Sequence, residues 1–366
     1  MRFVRFTLIP SILLSSIFVC AWGSLPAGQA DAASTADAVS IADVASVAYG
    51  SCQSVRLPVA LAPGQPASQA LSATYCQPLA WASGQHEVDV MTPGATYNSA
   101  YWNWPQDPSL YSYLDKTLQA GRAAFDYDRI GTGTSSHPPS DQITVNNEAY
   151  VLHQIVSWLR SSGHYSQVNL IGHSLGSVIS IQEAGIYQDA SRVVVTGLLH
   201  VPNVGLGFAQ TLLSLMHVAV LDREFAGQGL APGYVTTIPG DRGRDFYSPS
   251  ADPAVISYDE AHKDIVPLSD LVGLATTWAL PAGQNAADSI TAPVLVVIGQ
   301  QDAIFCTDPP ILDCSVPATV LASELPFYAG AASLAVDTIP GAGHDIALHP
   351  SAGQSFAEIN QWITTH

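Results

Sequence analysis

From residue 54 onward the chain alternates between short apolar runs and stretches with helical spacing. Eight runs have strand character: 55–62, 70–77, 87–91, 123–127, 168–171, 193–199, 294–298 and 334–339. The seventh reads Val-Leu-Val-Val-Ile. Unbroken runs of this kind suit a parallel sheet that is covered on both faces. Between the runs, Val151, Leu152, Ile155, Val156 and Leu159 recur at one-turn spacing within 148–160. A second helical stretch, 175–187, directly follows the fifth run, and Phe356, Ile359 and Ile363 mark an amphipathic helix at the C-terminus. Alternating strands and helices predict right-handed βαβ units. The expected class is therefore α/β: eight strands, mostly parallel, with helices on both faces.

One segment breaks the rhythm. Residues 202–289 lie between the sixth and seventh runs and are too long for a structureless loop in a compact domain. An apolar stretch at 208–220 reads as a helix, and a Gly/Pro/Arg/Asp-rich passage follows at 239–252. The expected division is a core at 54–201 and 290–366, with 202–289 as a cap or lid. At the other end, Arg2 and Arg5 precede an apolar run over 7–22 that contains Pro10, and Ala30-Asp31-Ala32 follows. That run is short for a bilayer span, which takes about 20 residues, and it has the layout of a cleaved secretory signal over 1–32. Residues 33–53, rich in Ala, Ser and Asp, are expected to be a flexible lead-in.

Export changes the reading of the five cysteines. Cys20 would leave with the signal. Proximity suggests the pairs Cys52–Cys76 and Cys306–Cys314, although four cysteines permit three connectivities. With no C-x-x-C or H-E-x-x-H present, no metal site is expected. Twelve basic residues against 30 acidic ones give a formal charge of -18. Such a surface repels phosphate backbones and disfavours docking on anionic lipid, so nucleic acid is not an expected partner. Beyond the N-terminal run no other stretch is long and apolar enough to span a bilayer, so stable membrane insertion is not expected either. The expected state is a secreted monomer.

The strongest chemical signal is Gly172-His173-Ser174-Leu175-Gly176, set between an apolar strand and a helix. This is the context of a strained strand-to-helix turn that exposes a serine hydroxyl at the carboxyl end of a sheet. Such a serine needs a base, and the base needs an orienting acid, in the chain order Ser, Asp, His. Asp302 follows the seventh run, and His344 follows the eighth. Asp308 and Asp313 compete for the acid role, and His349 lies close to the candidate base.

These features, together with Gly341-Ala342-Gly343-His344 and the run Asp128-Arg129-Ile130-Gly131-Thr132-Gly133-Thr134-Ser135, resemble the α/β-hydrolase superfamily, in particular its secreted, capped, esterase- or lipase-like members. The resemblance covers the chain from about residue 54 to its end. It implies an α/β-hydrolase fold and acyl transfer by Ser174, His344 and Asp302, with no cofactor and a small-molecule, ester-like substrate. The Leu175 N–H and the Ala95 N–H would form the oxyanion hole. Relatives often carry His-Gly where this chain has Pro93-Gly94. The run from Asp128 to Ser135 would be a structural loop near the site. Tyr97, Trp102, His173 and His200 are candidate pocket residues, with packing of their own loops as the competing reading. A lactonase, peptidase or thioesterase would keep the same triad, and a non-catalytic binding protein on this fold is a remoter alternative.

Overall fold

The computed structural model describes residues 39–82, 86–200, 215–306 and 312–366. Nine strands form one sheet: β1 (Ser40–Val47), β2 (Gly50–Val59), β3 (Gln69–Pro78), β4 (Glu87–Thr92), β5 (Ala123–Tyr127), β6 (Gln167–His173), β7 (Arg192–Thr196), β11 (Val294–Gly299) and β12 (Leu334–Ile339). Their spatial order is β1-β2-β3-β5-β4-β6-β7-β11-β12. The first three join antiparallel, and the six from β5 to β12 are parallel. All eight expected strands are present.

The ninth corrects the lead-in. Ser40–Val47 is an edge strand joined to β2 by the two-residue turn Ala48-Tyr49, so the part of 33–53 from Ser40 onward is ordered backbone. Hairpin pairing along the free edge of β2 supplies the hydrogen bonds that an Ala/Ser/Asp-rich sequence does not advertise.

The two sheet faces follow from alternation along the strands. Phe125 packs on Trp158 of the helix Val145–Ser162. Asp89 pairs in register with Ala124, so it points to the opposite face. There it accepts hydrogen bonds from Thr117 of the helix Tyr113–Gln119 and from Arg122. The helix Ala352–Thr365 lies on that side, with Phe356 against Tyr113. The apolar positions of 148–160 are buried as the spacing predicts.

Between β7 and β11, the described residues carry a small antiparallel sheet in the order β10-β9-β8: β8 (Met216–Val218), β9 (Tyr234–Thr237) and β10 (Val266–Pro267). The helix expected over 208–220 is corrected where the structure describes it. Met216–Val218 is a strand paired with β9, followed by a 3-10 turn at Ala219–Leu221. Cross-strand pairing has overridden a weak local helical pattern there. Both expected disulfides form: Cys52–Cys76 directly across β2 and β3, and Cys306–Cys314 in the loop after β11. The expected signal over 1–32 lies outside the described residues.

Candidate active site

Ser174 stands between the end of β6 and the helix Leu175–Tyr187, with φ 51°. A non-glycine residue holds this conformation only when its surroundings impose it. The two flanking glycines show what does so. A Cβ on Gly172 would lie 2.5 Å from the Cα of Ser177, and one on Gly176 would lie 2.2 Å from the Thr92 carbonyl. The chain therefore turns only with hydrogen at both positions. Ser174 N–H donates to Thr196 O at 2.8 Å, and its hydroxyl makes no capping bond to its own helix. Leu175 is the first helical residue, so its N–H has no partner within the helix.

At the same edge of the sheet, His344 Nδ1 lies 2.9 Å from Asp302 Oδ2. The other oxygen of Asp302 accepts the backbone N–H groups of Ile304 and Phe305 at 2.8 and 3.1 Å. This carboxylate is fully buried, held by its own loop and aimed at one imidazole nitrogen. Burial pulls the His344 ring down, but the charge and hydrogen bond of Asp302 outweigh it, and the ring ends above its ordinary value. Of the competing acids, Asp313 caps Ser315 at the surface, and Asp308 lies outside the described residues.

Ser174 opens into a cavity of about 30 Å³ whose other walls are Ala95, Leu175, Val178, Leu198, Leu271, Leu274, Trp278, Ile304 and Phe305. Three of these come from the segment between β7 and β11, and Trp278 is fixed by donating its Nε1–H to Leu199 O. The His344 ring lies 5.8 Å from that of Phe305, so the imidazole and the serine meet the same wall.

Residues 90–358 match the alpha/beta hydrolase family. The chain belongs to that family.

Solved structures agree at the level of fold. A soluble variant of monoglyceride lipase from Saccharomyces cerevisiae is 15% identical, with a TM-score of 0.57 over 85% of this chain and 96% of that one. A thermophilic esterase from Thermogutta terrifontis is 16% identical, with a TM-score of 0.55 over 86% and 98%. The hydrolase GrgF from Penicillium sp. sh18 is 15% identical, with a TM-score of 0.54 over 86% and 96%. No curated protein matches the chain in sequence.

In this alpha/beta hydrolase the loop after β4 is supported by Arg129. Its NH2 group donates to Gly94 O at 3.3 Å, and its NH1 group to Glu148 at 2.9 Å and Asp270 at 3.4 Å. Gly94 O and the Ala95 N–H belong to one peptide plane and point in opposite directions. Anchoring the carbonyl on Arg129 therefore aims the Ala95 N–H the other way, on the residue that walls the serine cavity. The motif run thus serves this site through its second residue. Asp128 folds the run on itself, accepting from Ser99 and Thr134.

Removing Arg129 would leave two carboxyl groups buried without a cation. An Arg129→Met variant is expected to lose about 3–5 kcal/mol of stability, read as a fall in denaturation midpoint. Arg129→Lys keeps the charge and loses the planar fork. It is expected to lower kcat by at least about tenfold with KM little changed, since a misaimed donor costs rate rather than binding.

None of the four candidate pocket residues is among the walls of the cavity that opens on Ser174. His173 is fully buried behind the serine, stacked on Tyr101 at 4.2 Å, with Nδ1 at 3.2 Å from Thr196 Oγ1 and Nε2 at 3.1 Å from Asp345. Tyr97 turns its hydroxyl to Asp345 and Asp259. Trp102 is buried edge-on to His173. His200 is drawn away by Glu324, which accepts from its backbone N–H at 2.8 Å and lies 2.7 Å from its Nδ1. In each case a buried polar partner or a ring stack holds the side chain off the cavity.

Sequence reasoning missed the network these residues join. Arg242 holds Asp259 with a two-pronged bond, each arm 2.8 Å, and donates to Thr96 Oγ1 at 2.7 Å. Tyr97 has one hydroxyl hydrogen and two carboxyl neighbours, so one carboxyl must carry a proton for both contacts to be bonds. Burial raises the carboxyls of both Asp259 and Asp345, against the pull of the Arg242 guanidinium on each. His349 completes the support. Its Nδ1–H donates to Asp345 O, and Nε2 accepts the N–H groups of Gly343 and Ser248, fixing the residue before His344 against the insertion.

Proposed function

We propose that the chain is an exported serine hydrolase that cleaves a carboxylic ester with an apolar acyl group. Ser174 attacks the carbonyl while His344 takes its proton. Asp302 holds the imidazole tautomer and stabilises the imidazolium. The N–H groups of Leu175 and Ala95 stabilise the oxyanion. His344 then protonates the leaving alcohol, and water repeats the cycle on the acyl-enzyme.

The observation that carries this reading is the apolar cavity opening on a strained serine at the sheet edge where Asp302 and His344 pair. The cavity walls beside Ser174 are apolar, which suits an apolar acyl group. Export is supported by the N-terminal pattern and by the two disulfides. No helix among the described residues is long and apolar enough to cross a membrane.

A panel of p-nitrophenyl esters tests the substrate class. Hydrolysis of esters from acetate to palmitate is expected, abolished in Ser174→Ala, and the chain-length optimum sizes the pocket. No hydrolysis of any member by the wild type would contradict the ester reading.

The base must be neutral to accept a proton. Because the ring of His344 lies above its ordinary range, activity is expected to fall on the acid side with a midpoint above that of a free histidine. A pH profile of kcat/KM for the acetate ester measures this.

A further inference from the structure

On the sheet face that carries the helix Val145–Ser162, a second constellation lies at the far end of the serine's helix. His153 comes from the helix Val145–Ser162, Glu183 from the last turns of Leu175–Tyr187, and Asp189 from just beyond that helix. His153 Nδ1 lies 2.8 Å from Asp189 Oδ2 and 3.8 Å from Glu183 Oε1. One ligating atom from each of the three lies within 4.8 Å of the others. The imidazole is held flat against the ring of Tyr187, 4.0 Å away and 10° from parallel.

Glu183 sets this group apart from an ordinary surface ion pair. Its side chain is fully buried, and apart from His153 and Asp189 no group hydrogen-bonds its carboxyl oxygens. The buried Oδ1 of Asp189 likewise has no N–H donor. Leaving such groups unmatched costs about 1–3 kcal/mol each, more if charged. The cost disappears if the acid keeps a proton or if a cation sits among the oxygens.

We propose that His153, Glu183 and Asp189 bind one divalent transition-metal ion of the zinc class, completed by water. One nitrogen and two carboxylate oxygens suit that class, whereas calcium and magnesium take oxygen ligands alone. Bonds of about 2.0–2.2 Å to a tetrahedral ion place its ligands roughly 3.4 Å apart. The 3.8 Å separation of His153 and Glu183 is close to this already. The His153–Asp189 contact must open by about half an ångström, and both side chains are partly exposed and free to give.

The three positions match no metal-binding motif in sequence. Two helices and a loop bring them together. The ion would clip the last turn of the serine's helix to its neighbour, remote from Ser174. It would act on stability and leave the chemistry untouched.

The test uses the full mature chain, stripped with a chelator and desalted, then titrated with Zn2+. Bound metal is measured after dialysis, beside thermal unfolding. The expected result is one equivalent bound and a raised Tm, both abolished in His153→Ala and in the near-isosteric Glu183→Gln. Melting each stripped variant without zinc separates loss of fold from loss of the metal. The proposal is overturned if the wild type retains no zinc, or if either variant binds zinc and gains stability as the wild type does. That second outcome would place the metal elsewhere and leave Glu183 as a buried, protonated acid.

Discussion

Replacing Ser174 with alanine is expected to lower kcat on a p-nitrophenyl ester by about a millionfold, while the protein unfolds at nearly the same temperature. The two halves of this expectation have separate grounds. The hydroxyl is the bond-forming atom in the proposed cycle, and no other residue on the cavity wall is a nucleophile. It also makes no capping bond, so its loss leaves the helix start as it was. The backbone bonds at Ser174, from its N–H to Thr196 and from Ser177 and Val178 to its carbonyl, do not involve the side chain. The measurement is steady-state hydrolysis beside a thermal melt. A variant that loses activity and also melts far lower would show that Ser174 is holding the turn together, and the catalytic assignment would lose its support.

Asp302→Asn is expected to cost about 10⁴ in kcat. The substitution keeps one carbonyl oxygen, which can still accept from Ile304 and Phe305. Its amide then faces His344 Nδ1, where a donor meets a nitrogen that must itself donate. The imidazole is driven into the tautomer with its proton on Nε2, and it can no longer accept one from the serine. The acid-side midpoint of the residual activity should also move down, because the negative charge that raises the ring is gone. A structural role alone would lower activity without moving that midpoint.

The parts of the molecule legible in the sequence are those whose signal is local. Val294–Gly299 is a continuous apolar run because both its faces are covered, and it reads as a buried strand for that reason. Ser174 is legible because two glycines are needed where backbone atoms come within 2.2–2.6 Å of a would-be Cβ. Asp302 and His344 are legible because each ends a strand at the same edge. What stayed hidden depends on partners far apart in the chain. Arg129 looks like a variable position inside a loop pattern, yet it meets Gly94, Glu148 and Asp270. Tyr97 looks like a pocket aromatic, but its hydroxyl is claimed by Asp259 and Asp345. The strands β8 to β10 have two to four residues each, too few to show a period.

The network of Arg242, Asp259, Tyr97, Asp345 and His173 ties three regions into one buried unit. It joins the insertion to the loop after β4 and to the residues beside both Ser174 and His344. Such a unit is costly unless its members are satisfied, and hydrogen bonds join each member to the next. Through it, residues from the segment between β7 and β11 reach the surroundings of Ser174 and His344.

The central claim is that Ser174 is an activated nucleophile. It is tested most directly by treating the intact mature protein with a fluorophosphonate probe and mapping the adduct by peptide mass spectrometry. The account predicts a single adduct on Ser174, lost on heat denaturation and in His344→Ala. Failure of the folded wild type to label, or labelling at another serine with Ser174 unmodified, would contradict it.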